Sequence, residues 1–357
     1  MVHDRESAIA FPKSLLHDHL DGGLRIATIL ELSDSIGWTP RLPTTDPSAL
    51  QKWFTAGANS CDLLQYLATF EHTLAVMQDQ SHIERVAYEA VADLADDGVV
   101  YAEIRYAPEL HNMPFDASAE AICAGFRRAE RDAANRGRRI SAHLIVCAMR
   151  TEQRSVEVAS FVDRYREVDS KVVAFDLAGA ETGWPPSLHA AALEIARSRH
   201  LNITIHASEP PDLDLISDAL AHGAHRIGHG VRLQSDLTIE GGVVTGMGQL
   251  ASYVLEHQIP LEMAPTCHVH VGAVSSLQTH PIGPMLRAGF NVNVNTDNRL
   301  MSDVTPSSEL LAVAQTFDLS PAEVRQLVIN GISAGFAPRE HRLPLLDDLT
   351  STPNSAA

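Results

Sequence analysis

The sequence predicts a single α/β domain, a (β/α)8 barrel of the TIM type with a helical insertion after the first strand. Three observations carry that prediction. Eight short, apolar, β-rich segments alternate along the chain with longer stretches of helical period. Polar residues capable of chemistry stand at the carboxyl ends of several of these segments, where barrel enzymes build their sites. The 357 residues contain no internal repeat, low-complexity tract or linker, so eight βα units in one domain is the economical reading. A doubly wound open sheet usually has fewer strands and a phosphate loop. No G-x-x-x-x-G-K-[ST] or G-x-G-x-x-G follows a strand here.

Taken in order, the strands are expected at Leu15–Leu20, Val99–Ala107, Ile140–Ala148, Val172–Leu177, Asn202–His206, Arg226–His229, Pro260–Ala264 and Phe290–Asn295. The clearest helices are Leu63–Met77, His82–Asp96, Ala119–Asn135, Leu188–Arg199, Gly248–His257 and Pro321–Ala334, several with apolar residues three and four apart. Pro321 after Ser320 is a good helix start. The connection from Asp21 to Asp97 is far longer than a simple βα link. It must hold several helices and is a candidate lid. The barrel is expected to occupy residues 1–342, and 343–357 to form a frayed tail.

A hydrophobic fraction of 45% supplies a sizeable core, and a formal charge of −18 argues against a nucleic-acid partner, which needs a basic surface. Cys61, Cys123, Cys147 and Cys267 lie far apart and form no C-x-x-C pair, so neither a disulfide framework nor a thiolate zinc site is indicated. The amino terminus is charged where a signal peptide would be apolar, and no run approaches the ~20 apolar residues of a membrane span. The expectation is a soluble, cytoplasmic protein without a membrane partner.

His17-Asp18-His19 lies on the first strand, and alternation sends His17 and His19 to one face and Asp18 to the other. His206 ends the fifth strand and Asp297 the eighth. In a closed barrel these ends share one mouth. Three histidines and a carboxylate suit zinc or a similar divalent ion, one per chain, with room for a reactive water. Glu209, three residues beyond His206, is placed as a proton donor, and His229, between Gly228 and Gly230, as the base that takes a proton from water. Each has a structural rival: Asp297 as a turn residue, Glu209 as a helix-start carboxylate, any one histidine as a core or surface residue. Joint placement at strand ends favours the metal reading. His189, His222, His225, His257 and His280 fall on helices or connections and are read as solvated.

These blocks resemble the adenosine and AMP deaminase family from about Leu15 to about Phe336. The resemblance runs through His17-Asp18-His19-Leu20-Asp21-Gly22, Tyr101–Pro108, Phe175–Gly179, His206-Ala207-Ser208-Glu209, Arg226–Gly230 and Asn295-Thr296-Asp297. Asn298–Ser302 is similar to the form in actinobacterial members. The resemblance implies a mononuclear zinc enzyme converting adenosine to inosine and ammonia. His17, His19, His206 and Asp297 then match its metal ligands, Glu209 its general acid and His229 its base. Asp21 matches a sugar-hydroxyl contact, the backbone of Gly179 faces a purine nitrogen, and Asn298 meets an imidazole-ring nitrogen of the purine.

Ser208 stands where that family has glycine, and Ala264-Pro265-Thr266-Cys267-His268 replaces a Cys-Pro-Thr/Ser-Ser-Asn type segment. Ser208, Cys267 and His268 are therefore specificity candidates. They keep open deamination of a modified adenine or another specialised purine nucleoside. A non-catalytic nucleoside-binding relative is the third reading. A binuclear site is disfavoured because the fourth strand offers no bridging lysine.

Overall fold

The computed structural model describes residues 2–60 and 63–351. Among the described residues ten strands occur in chain order: β1 (Lys13–His19), β2 (Val99–Tyr106), β3 (Ser141–Met149), β4 (Val172–Ala178), β5 (Asn202–Ala207), β6 (Arg226–His229), β7 (Leu237–Glu240), β8 (Val243–Met247), β9 (Leu261–Met263) and β10 (Val292–Val294). Eight form one parallel sheet in the order β1-β2-β3-β4-β5-β6-β9-β10. The barrel closes between its first and last strands just beyond β10. There His19 N–H donates to Asp297 O and Asp297 N–H to His17 O, at 2.9 Å each, bracketing an isolated parallel bridge between Asp18 and Asp297.

Each expected barrel strand is present, because continuous apolar runs are what a parallel sheet covered by helices requires. Ile104, Leu144, Phe175, Ile203, Ile227, Leu261 and Val292 are buried in one large core with Val86, Ile122, Phe126 and Val158 of the surrounding helices. The insertion after β1 holds helices Ile26–Ser35, Pro47–Ala58, Leu63–Ala75 and Gln80–Asp96. Local chemistry sets their starts. Asp46 accepts from Ala49 N–H ahead of Pro47, and Asp79 from Ser81 N–H, both at 2.8 Å. Ser320 and Glu323 form a capping box at the start of Pro321–Ala334.

Two expectations are corrected. The chain from Leu343 does not fray at once: Arg339–Ser351 is a helix, and Leu345 and Leu349, one turn apart, are buried in a cluster with Leu16, Tyr101, Val328 and Ile332. Residues 352–357, including Pro353, lie outside the described residues, as does Cys61. The antiparallel β7–β8 hairpin was not foreseen. Its signal is Gly241-Gly242, both at positive φ (57° and 78°), between two β-branched runs, the composition of a tight hairpin turn.

Candidate metal centre

The first, fifth and last barrel strands bring the predicted ligands together. His17 Nε2 and His19 Nε2 each lie 3.3 Å from Asp297 Oδ1, and His19 Nε2 lies 3.2 Å from His206 Nε2. Asp18, on the opposite face as alternation requires, pairs with Arg299 at 2.8 Å and accepts from Thr296 Oγ1. His17, His206, His229 and Asp297 offer ligand atoms all within 4.8 Å of one another. His229 thus belongs to the same cluster.

Two of the three predicted ligand rings are oriented from behind. His17 Nδ1 faces Glu262 Oε2 at 2.9 Å, and His206 Nδ1 faces Asp176 Oδ1 at 3.2 Å. Carboxylates only accept, so both Nδ1 atoms carry a proton and both Nε2 lone pairs turn inward. Arg105 bridges the two carboxylates at 2.7 Å each, and Arg226 Nε and Thr204 Oγ1 complete Glu262 at 2.6 and 2.9 Å. His17 Nε2 is a buried nitrogen with no hydrogen-bond partner. Lone pairs converging in a dry site beside a carboxylate fit a divalent cation.

The electrostatics agree. Burial pushes His19 and His206 down, keeping their rings neutral as ligands must be. Burial and then the charge of Arg105 act against protonating His17, but the neighbouring carboxylates of Asp297 and Glu262 outweigh them and push His17 up. The surroundings of its Nε2 favour positive charge. Asp297 is held well below the usual carboxylate range: burial works against ionisation, but His17 and His19 prevail.

Glu209 leaves β5 one residue after Ser208 with 28% of its side chain exposed, and its Oε1 lies 4.0 Å from His229 Nε2. Burial, then the charges of Asp297 and Glu181, raise its pKa well above the ordinary carboxyl value. A carboxyl whose surroundings favour its protonated form is suited to donate a proton. The turn holding it is anchored by Glu181, which accepts from Ser208 N–H at 2.6 Å and from Glu209 N–H at 3.3 Å. Ser208, His229 and Asp297 all have left-handed backbones (φ 70°, 63° and 59°). Such strain concentrates at functional sites, and at Ser208 it explains why glycine suits the position.

Asp21, buried in the turn after β1, is pushed up to about 6 by burial, with Asp297 and Asp18 adding. Gly179 follows β4 at φ 93°, where a Cβ would press within 3.0 Å of Met149 Cε. Asn298 Nδ2 donates to Tyr66 OH at 2.6 Å, while its Oδ1 is buried without a partner.

Of the three specificity candidates, Ser208 is fully buried and its Oγ has no partner. Cys267 Sγ donates to Asp297 Oδ2 at 2.9 Å and lies 3.8 Å from Glu209 Oε1. Burial, with Asp297 and Glu209, pushes this thiol up, so it stays a neutral donor. His268 Nε2 lies 3.1 Å from His229 Nδ1.

Sequence reasoning missed Arg105, Asp176, Glu181, Glu262 and Tyr66. Charges inside apolar strands, as in Phe175-Asp176-Leu177 and Leu261-Glu262-Met263, were the available signal, since a buried charge demands partners. His189 and His280 are corrected too: both are buried, 6% and 1% exposed, rather than solvated. His189 bonds Ser155 Oγ and Arg150 O, and His280 bonds His268.

The profile of the family described as Adenosine deaminase matches residues 12–352. The chain is 45% identical to an adenosine deaminase of Mycobacteroides abscessus over 350 residues, 97% of this chain and 96% of that protein. It is 44% identical to an adenosine deaminase of Mycobacterium leprae over 342 residues, covering 95% and 94%. Among solved structures, an Arabidopsis N6-mAMP deaminase superposes with a TM-score of 0.81 at 24% identity, covering 97% of this chain and 100% of that one. An adenine deaminase from Arthrobacter aurescens gives 0.78 at 25%, covering 95% and 98%. An alignment of that length and identity makes this chain a member of the adenosine deaminase family.

Proposed function

We propose that this enzyme hydrolyses adenosine and deoxyadenosine to inosine and deoxyinosine with release of ammonia. One zinc ion per chain would be held by His17, His19, His206 and Asp297. The observation that carries the reading is the convergence of the Nε2 atoms of His17, His19 and His206 with Asp297, beside His229 and Glu209, whose Nε2 and Oε1 lie 4.0 Å apart. When bound, the ion supplies Lewis acidity, bringing the pKa of water toward ~7.

The chain's own residues do the rest. Glu209 gives its proton to the ring nitrogen beside the amine-bearing carbon, making that carbon electrophilic. Water adds to the carbon from the side of His229 and Asp297, which hold it in line. One proton of the water restores Glu209 and the other leaves with the amine as ammonia, while the product keeps the ring N–H. Asp21 binds a sugar hydroxyl, and the backbone at Gly179 and the amide of Asn298 bind purine nitrogens. The −18 charge and the lack of any described helix long and apolar enough to cross a membrane support a small-molecule partner over nucleic acid or bilayer. The free, buried thiols of Cys123, Cys147 and Cys267 support a reducing, cytoplasmic setting.

The decisive assay gives adenosine, deoxyadenosine and N6-methyladenosine to protein of measured zinc content and follows inosine or deoxyinosine together with the amine released, ammonia from the first two and methylamine from the third. Adenosine is expected to be turned over best. Absence of inosine from protein carrying one zinc per chain would overturn the proposal, and preference for the methylated substrate would move it to a modified purine.

A further inference from the structure

Behind His229 runs a chain of imidazoles that the reaction as described does not use. His229, His268 and His280 are 2%, 0% and 1% exposed, so no solvent competes for their nitrogens. His229 Nδ1 meets His268 Nε2 at 3.1 Å, and His268 Nδ1 meets His280 Nε2 at 2.9 Å. The His268 and His280 rings share a plane within 4° with centroids 5.2 Å apart, an in-line hydrogen bond rather than a face-to-face stack.

The end of the chain sets its direction. Ile282 N–H donates to His280 Nδ1 at 3.1 Å. A backbone amide can only donate, so His280 Nδ1 carries a lone pair and the ring proton sits on Nε2. His280 Nε2–H therefore donates to His268 Nδ1. His268 in turn keeps its proton on Nε2 and donates to His229 Nδ1. With Nδ1 of His229 occupied as an acceptor, its proton lies on Nε2, the nitrogen that faces Glu209 across 4.0 Å.

We infer that His268 and His280 are positioning residues that fix the tautomer of His229, so that His229 presents an N–H donor to the attacking oxygen instead of a free lone pair. This rests on the deaminase reading given above, and it departs from the role that the family resemblance implies for His229. The resemblance gives His229 the task of taking the proton from water. With Nε2 already protonated, His229 aims and polarises the water. The water's proton passes to Glu209, which is ionised once it has served the ring nitrogen and which lies on the same face. Glu209 is returned to its starting state, and no proton is left over. Burial pushes His268 down to about 3, in keeping with a neutral relay ring.

Nitrogen-15 NMR of the histidine-labelled, zinc-loaded protein reads the tautomers directly, whether or not adenosine is deaminated. The expected result is the Nε2–H tautomer for His229, His268 and His280. His268→Phe removes the donor, and His268→Gln restores an N–H at similar reach. His268→Phe should lower kcat about 10- to 100-fold with KM within about twofold, at unchanged zinc content, and His268→Gln should recover most of that loss. A proton on Nδ1 of His229 in the unaltered protein overturns the inference, as does equal activity of the two variants. If His268→Phe does not fold, the spectrum of the unaltered protein still decides. Adenosine left unconverted alongside the expected tautomers would overturn the substrate reading and leave the relay standing.

Discussion

Glu309 is expected to be a pH-dependent burden on stability, and replacing it with glutamine should bring a gain that grows as pH rises from 4.5 to about 7. Its side chain sits behind the short helix Pro265–His270 that carries Cys267 and His268, 1% exposed. Oε1 accepts from Thr266 N–H at 3.2 Å, while Oε2 is buried without a partner. Burial pushes this carboxyl from 4.5 to about 7, with Thr266 only partly offsetting it. The folded state therefore holds its proton more tightly than the unfolded chain. The penalty is absent below 4.5, grows as pH rises from 4.5 to about 7, and is complete above that. At about 1.4 kcal/mol per pH unit, the full penalty is about 3 kcal/mol. An unfolding entropy of about 2.1 cal/mol/K per residue gives about 0.75 kcal/mol/K for 357 residues. Glu309→Gln keeps the acceptor for Thr266 and carries no charge. Calorimetry should show its Tm about 4 °C above the parent at pH 8 and about 1 °C above at pH 5. An equal gain at both pH values, or a loss at pH 8, would refute the reasoning.

Three further outcomes are expected. Glu209→Gln should fold and keep its metal but lose about 10²- to 10⁴-fold in kcat, and in the parent protein activity should fall as pH rises through the raised pKa of Glu209. Steady-state kinetics across pH check both. A glutamine variant of near-parental rate would remove Glu209 from its role. Glu262→Gln weakens the partner of Arg105, Arg226 and His17 together, so a loss of about 3–5 kcal/mol in chemical denaturation and about 10- to 100-fold in zinc affinity is expected. Ser208→Gly relieves a left-handed backbone and removes a hydroxyl without a partner, and should raise stability by about 1 kcal/mol in the same measurement.

What could be read in advance followed the strength of local signals. The barrel strands are dense apolar runs, and the two-residue alternation of His17 and His19 survives any error of strand boundary, so both were legible. Asp176 and Glu262 were not, because each is a single charge in an apolar strand whose partners come from other strands, among them β1, β2, β5 and β6. Tyr66 reaches Asn298 from a helix 232 residues away in sequence, a pairing that no local period encodes. The helix Arg339–Ser351 contains Pro344 and looked like a terminus, yet packing of Leu345 and Leu349 outweighs the local propensity. His280 looked like a loop residue because nothing near it in the sequence reveals that His268 lies against it.

The closure of the barrel links the site to the whole length of the chain. His17 and His19 are made early in synthesis, whereas Asp297, which bonds their backbones, emerges some 280 residues later. Bringing ends so distant in sequence together is among the slowest and entropically costliest steps available to a folding chain. A nascent or truncated chain that lacks the last strand can bury much of its apolar surface and still present no assembled centre. Catalytic competence in this protein therefore requires the last strand to have closed the barrel against the first.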